Sequence, residues 1–213
     1  MVSALALAAS ARAQEHWNDP LNGFYANAGV GVNIMGDIKS AAPDGVKFKT
    51  STDVGERISL GVGYMFPLAK TTSIGLEFET GALVNTLDTV SASGAGSGTA
   101  DLNGYYYQLP FLLNGVLVCH AVPKFTFYAG IGGGGVYSRM HLHKIGGETL
   151  DEDSDETSGA FQAMGGVRYQ IAPNQEVGLA YKYLAVFVNN VEFGNDTDTV
   201  NNHAVMATYT FHF

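Results

Sequence analysis

Along most of this chain apolar residues recur at every second position, the signature of strands with one greasy face. Phe24, Ala26, Ala28, Val30, Val32 and Ile34 alternate with Tyr25, Asn27, Gly29, Gly31 and Asn33. Ile58, Leu60, Val62, Tyr64 and Phe66 alternate with Arg57, Ser59, Gly61 and Gly63, and Ile74, Leu76, Phe78, Ala82 and Val84 with Glu77, Glu79 and Asn85. In the last third, Phe161, Ala163, Val167, Tyr169 and Ile171 oppose Gln162, Arg168 and Gln170. Val177, Leu179, Tyr181, Tyr183 and Phe187 oppose Lys182, and Val205, Ala207, Tyr209, Phe211 and Phe213 oppose Thr208, Thr210 and His212. Two segments are less regular: residues 104–118 are apolar on both faces, and residues 124–143 are interrupted by glycines. The pattern predicts eight strands and no helix.

The connections sort into two kinds. Residues 36–51, 87–103, 144–158 and 190–199 are long; residues 67–71, 119–123 and 172–174 are short, and the two kinds alternate without exception. In an up-and-down sheet that alternation puts every long connection at one end and every tight turn at the other. With an even strand number and strands of about ten residues, this is the pattern of an outer-membrane barrel. Closure is obligatory there, because hydrocarbon offers no water to the N–H and C=O groups of an open edge. The expected fold is therefore all-β: an eight-stranded antiparallel up-and-down transmembrane β-barrel over residues 14–213. A secreted soluble barrel points apolar side chains inward and its polar parity into water. The polar parity here is rich in Gly, Asn, Ser, Thr and Tyr, which suits a crowded interior better.

Composition agrees. Of 213 residues 15% are charged against about 25% in soluble domains, while 11% are aromatic and 27 are Gly. The net charge of −9 argues against a nucleic-acid partner, which needs a basic face to displace counterions from phosphate. The single cysteine, Cys119, excludes a disulfide scaffold. Residues 1–13, an apolar small-residue run closing on Ala11-Arg12-Ala13, have the h-region and cleavage site of a secretory signal peptide. No Lys or Arg precedes the run, so part of the signal is expected to lie upstream of Met1.

Several segments resemble a known family: Phe24-Tyr-Ala-Asn-Ala-Gly-Val-Gly-Val32, Gln108-Leu-Pro-Phe-Leu-Leu-Asn114, Phe127-Tyr-Ala-Gly-Ile-Gly-Gly-Gly-Gly-Val136, Leu179-Ala-Tyr-Lys-Tyr183 and the last strand His203 to Phe213. Together they look like the small outer-membrane β-barrel family of OmpA-type transmembrane domains and opacity-type surface antigens. The resemblance implies a Gram-negative outer membrane, a monomer with both termini in the periplasm and loops outside the cell. Tyr209, Phe211 and Phe213 resemble the C-terminal signal by which the barrel assembly machinery recognises its clients. An activity is not implied, because the fold carries adhesins, pores, lipid-modifying enzymes and plain anchors.

Candidate chemistry is sparse. With the apolar parity outward, Arg57, Glu77, Glu79, Arg168 and Lys182 enter the lumen. A lumen of eight strands is just wide enough to be filled by side chains, and buried charges must pair, so an ion-pair network plugging the barrel is expected. A narrow pore lined by the same residues is the alternative. Glu148, Asp151, Glu152, Asp153, Asp155 and Glu156 form an acidic surface loop without EF-hand spacing, a solvated display rather than a calcium site. Gly130-Ile-Gly-Gly-Gly-Gly135 satisfies the dinucleotide fingerprint in letters, but no helix follows to hold a pyrophosphate. His141 and His143 share one face of a strand and form a candidate metal pair with no third ligand evident nearby. None of the six histidines is followed two residues later by Ser, the pair by which lipid A deacylases are identified, so an enzyme is the distant alternative. The expected role is structural or surface-interactive, with outer-membrane lipid and an unidentified extracellular ligand as partners, and no cofactor or catalytic residue.

Overall fold

The computed structural model of the protein describes residues 22–41, 46–93, 97–145, 148–189 and 197–213. The expected signal peptide lies outside them. Ten strands occupy nearly all of the described chain: β1 (Gly23–Met35), β2 (Ile38–Ala41), β3 (Lys47–Thr52), β4 (Gly55–Ala69), β5 (Thr72–Ser93), β6 (Gly98–Val122), β7 (Phe125–Ile145), β8 (Glu148–Ala172), β9 (Gln175–Asn189) and β10 (Thr197–His212).

Eight of them close into a ring. β1, β4, β5, β6, β7, β8, β9 and β10 each pair antiparallel with the next in that order, and β10 returns to β1 through the register from Tyr25↔His212 to Met35↔Asn202. The amide of Phe213 donates to the Phe24 carbonyl at 3.0 Å, so both ends of the barrel domain lie at one mouth. That mouth also holds the three tight turns, at Lys70–Thr71, Pro123–Lys124 and Pro173–Asn174. Lys124, following Pro123, adopts φ 64°, a left-handed conformation that the other two tight turns do not use. The observed ring is the eight-stranded up-and-down barrel that the alternation predicts.

The long connections differ from expectation. Residues 87–103 and 144–158 read as loops, yet they continue the ladder: β5 and β6 stay paired to Ala92↔Gly98, and β7 and β8 to Ile145↔Glu148. The first long connection folds as a β2–β3 hairpin whose outer strand pairs with the β5 extension from Lys47↔Ser93 to Thr52↔Leu87. The reason is physical. Period-2 hydropathy marks a strand only where one face meets hydrocarbon; beyond the membrane both faces meet water, so the hydrogen bonds persist while the alternation vanishes.

The outward parity forms an apolar band. Ile58, Leu60, Val62, Phe66 and Leu68 on β4, and Ile74, Leu76 and Phe78 on β5, are all more than 45% exposed. At ~3.3 Å per residue and ~40° tilt, the run from Ile58 to Leu68 covers about 25 Å along the barrel axis, the height of an outer-membrane apolar belt. Its upper edge is marked by the first outward charged or amide residues, Glu56, Asp88, Asn103, Arg139 and Asp155, all exposed. Aromatic pairs mark both edges: Phe24–Tyr64, Phe125–Tyr169 and Phe211–Phe213 near the tight turns, Tyr105–His141 and Tyr183–His203 near the long hairpins.

Candidate functional site

The inward parity of every strand points into a space that eight strands make just wide enough for side chains. Polar and apolar layers alternate along it. β8 carries Ala160, Gln162, Met164 and Arg168 in turn toward the tight-turn mouth, and β9 carries Val186, Leu184, Lys182, Ala180 and Glu176; all are buried.

The central layer is built on Glu79. Its Oε1 accepts from Lys182 Nζ at 2.7 Å and from Arg57 Nη2 at 3.2 Å, and its Oε2 from Gln162 Nε2 at 2.8 Å and Asn114 Nδ2 at 3.0 Å. Arg57 also donates to Gln162 Oε1 at 2.6 Å. These groups are 0–5% exposed, so each charge has exchanged hydration for a charge-assisted contact. Glu77, two residues along the same inward face, has neutral partners instead: Tyr25 Oη donates at 2.9 Å, and Asn27 Nδ2 donates to the same oxygen.

A second polar layer lies at the tight-turn mouth. Glu176 accepts from Thr126 Oγ1 at 2.5 Å, meets His212 Nε2 at 3.1 Å and lies 3.8 Å from Arg168 Nη1. The Arg168 guanidinium also covers the Tyr128 ring at 4.0 Å, a cation–π contact. The five inward charges divide between two storeys: Arg57, Glu77, Glu79 and Lys182 share the central layer, while Arg168 pairs one storey below with Glu176. Glu176 is the charged residue that sequence reasoning missed. The available signal was parity, since residue 176 falls on the same face of β9 as Lys182.

Apolar layers separate and cap these. Tyr25, Met65, Val116, Tyr128, Met164, Ala180 and Met206 pack between the two polar storeys. On the long-hairpin side of Glu79, Met35, Leu83, Leu87, Tyr106, Leu112, Val136, Leu184, Val186 and Val200 form a second apolar cluster. Asn33 crosses its rim, donating to Asn85 Oδ1 at 2.7 Å and Asn202 Oδ1 at 2.9 Å. The inward face is thus half apolar, which explains why residues 104–118 read as apolar on both faces.

The remaining candidates are placed as follows. Gly132 and Gly134 face the lumen, where an added Cβ would stand 2.1 Å from Asn114 Oδ1 and 2.0 Å from the Phe111 carbonyl oxygen. The glycine run therefore serves wall-to-wall packing on a strand, with no helix behind it. Tyr209 and Phe211 lie on the outer face of β10 with Phe213 exposed just past its end, and Tyr209 Oη donates to Gln175 Oε1 at 3.0 Å. The acidic segment lies in β8 rather than a loop: Asp155 is exposed and Glu156 accepts from Ser158 at 2.9 Å, while the side chains of Glu148, Asp151, Glu152 and Asp153 lie outside the described set. Among the described residues no three potential metal ligands converge. Cys119 is half-buried.

These features recur in known proteins. The family model of the outer membrane protein beta-barrel domain matches residues 1–211. No curated protein matches the chain. Among solved structures, the outer membrane protein OprG from Pseudomonas aeruginosa is similar at TM-score 0.55 and 16% identity, covering 92% of this chain and 99% of OprG. Neisserial surface protein A is similar at TM-score 0.54 and 15% identity, covering 90% of this chain and 97% of its own. At such identities the likeness speaks for the fold alone. The closed ring, the apolar belt and the family match agree that the chain belongs to the outer membrane protein beta-barrel domain family.

Proposed function

We propose that this protein is a non-conducting, non-enzymatic outer-membrane barrel whose lumen is a folded core and whose work is done by its extracellular face, as a surface antigen or adhesin-like display. The observation that carries this reading is the stacking of four layers in the lumen, with Glu79 held by Arg57 and Lys182 between two apolar clusters. Water or ions passing through would have to separate buried pairs and cross apolar storeys on both sides of them, where a desolvated charge is costly. The outer rim supports the display role. Paired strands carry the chain past the hydrocarbon as ribbons, and acidic residues concentrate on β8, so the barrel projects a hydrated, negative surface. Outer-membrane lipid covers the belt, Tyr209, Phe211 and Phe213 serve recognition by the barrel assembly machinery, and the extended ribbons meet an extracellular ligand.

Reconstitution into planar bilayers tests the reading. The unmodified protein is expected to leave the bilayer at baseline current; reproducible steps of large unitary conductance would replace the display reading with that of a passive pore.

A further inference from the structure

Toward the long hairpins, the lipid-facing wall is interrupted by four hydrogen-bonding side chains, Tyr181 and Tyr183 on β9 and Asn201 and His203 on β10. Tyr181 Oη contacts His203 Nδ1 at 2.7 Å, and Tyr183 Oη donates to Asn201 Oδ1 at 2.6 Å. Both tyrosine rings lie against the imidazole, with centroids 6.2 and 5.2 Å away, which restricts its orientation. Parity puts all four outside: Lys182, Asn202 and Ala204, which alternate with them, are buried in the lumen.

The height of this cluster decides what faces it. At ~3.3 Å per residue and ~40° tilt, the run from Phe213 back to His203 climbs about 25 Å from the tight-turn edge of the belt. His203 therefore stands at the opposite edge, still beside apolar side chains. Ile34, directly opposite it on β1, is exposed, and so is Phe187, whose partner Thr199 lies four positions beyond His203 toward the long hairpin. An ionisable side chain on a lipid-facing wall is costly, and its default reading is a functional site. The belt is a lipid interface, and at its margin the neighbour of an outward side chain is a lipid headgroup.

The bonding pattern selects the chemistry of that headgroup. A phenol donating to Nδ1 leaves the ring proton on Nε2. The bond from Tyr183 occupies the amide oxygen of Asn201, whose Nδ2 gives one hydrogen to the Thr199 carbonyl at 3.4 Å and has a second to give. The tyrosines thus cover acceptors and leave N–H donors. The outward neighbours on the flanking strands, Val32 and Ile34 on β1 and Phe161 and Ala163 on β8, carry no charge. Donors with no carboxylate among these neighbours suit phosphate oxygens, and the negative faces of tyrosine rings suit the C–H edges of a sugar.

We propose that Tyr181, Tyr183, Asn201 and His203 form a docking site on the β9–β10 wall for the phosphorylated sugar headgroup of an outer-leaflet lipid A molecule. The site depends on the belt and not on a filled lumen, so lipid retention and planar-bilayer currents fail separately.

Native mass spectrometry of the full-length barrel, refolded in detergent and mixed with defined lipids, tests the site. Diphosphorylated lipid A is expected to stay bound at one molecule per barrel, at least about tenfold more tightly than dephosphorylated lipid A or phosphatidylglycerol, the scale of a hydrogen bond to a charged group. His203→Leu, a side chain that suits the belt, is expected to remove that preference. His143→Ala, an exposed position on the β7 extension, is expected to leave it unchanged, and heat-modifiable gel migration confirms that each variant is folded. Equal retention of the three lipids would reveal an ordinary lipid annulus and overturn the proposal. Absence of bound lipid A, tighter binding of phosphatidylglycerol, or an undiminished preference in His203→Leu would overturn it as well.

Discussion

At the scale of single residues, two glutamates on the same strand face show how partners decide what a buried charge is worth. Glu79 sits between two cations and Glu77 among an amide and a phenol. Replacing Glu79 by Gln leaves Arg57 and Lys182 buried without the carboxylate they contact, a change that costs about 3–5 kcal/mol. Replacing Glu77 by Gln removes acceptor strength but no ion pair, so the loss is of order 1–2 kcal/mol. Urea-induced unfolding in detergent micelles is expected to show the larger drop for Glu79→Gln; equal drops would deny Glu79 its central position. Parity alone makes Arg57, Glu77, Glu79 and Lys182 legible as lumen residues, because an outward charge in hydrocarbon is excluded. Which charge meets which is not legible. Pairing depends on shear between strands: Glu79 reaches Lys182 across 103 positions of sequence, a relation no local pattern encodes.

At the scale of elements, β7 carries the strongest test of wall packing. Gly134 faces the lumen, where a Cβ would meet the Phe111 carbonyl at 2.0 Å, whereas Gly135 faces outward with its nearest such neighbour at 4.0 Å. Gly134→Ala is therefore expected to destabilise the barrel by about 1–3 kcal/mol, as overpacking does, and Gly135→Ala to be near neutral. Thermal unfolding followed by gel migration reads the difference, and a larger effect at Gly135 would reverse the assigned orientation of β7. The strands crossing the membrane are legible because one face must be greasy there. Their extensions are not, since residues 148–156 of β8 are acidic and polar on both faces and read as a loop. Leu83, Leu112, Leu184 and Val186 are likewise hidden: an inward apolar residue on a strand that is already apolar outside leaves no alternation to detect.

At the scale of the whole molecule, the barrel inverts a soluble protein only in part. Its outer wall is apolar, but its interior is layered much as a soluble core is, with polar storeys at Glu79 and Glu176 and apolar storeys between and above. The chain terminus belongs to this scale, because β10 closes the ring. Removing Phe213 is expected to lower the amount of barrel assembled in outer membranes while leaving the stability of the detergent-refolded protein nearly unchanged. Quantifying heat-modifiable protein in membrane fractions checks it, and an unchanged yield would deny the C-terminal aromatics their recognition role.

The central claim is that the lumen is filled. Single thiols at lumen positions in a Cys119→Ser background test it most directly: Leu184→Cys in the upper apolar cluster and Met164→Cys in the lower one, each exposed to a small charged methanethiosulfonate while the barrel is folded. Both thiols are expected to stay unmodified until the barrel is unfolded in denaturant and then to react fully. Rapid modification of either in the folded barrel would mean that water and ions enter the lumen, and would contradict the account.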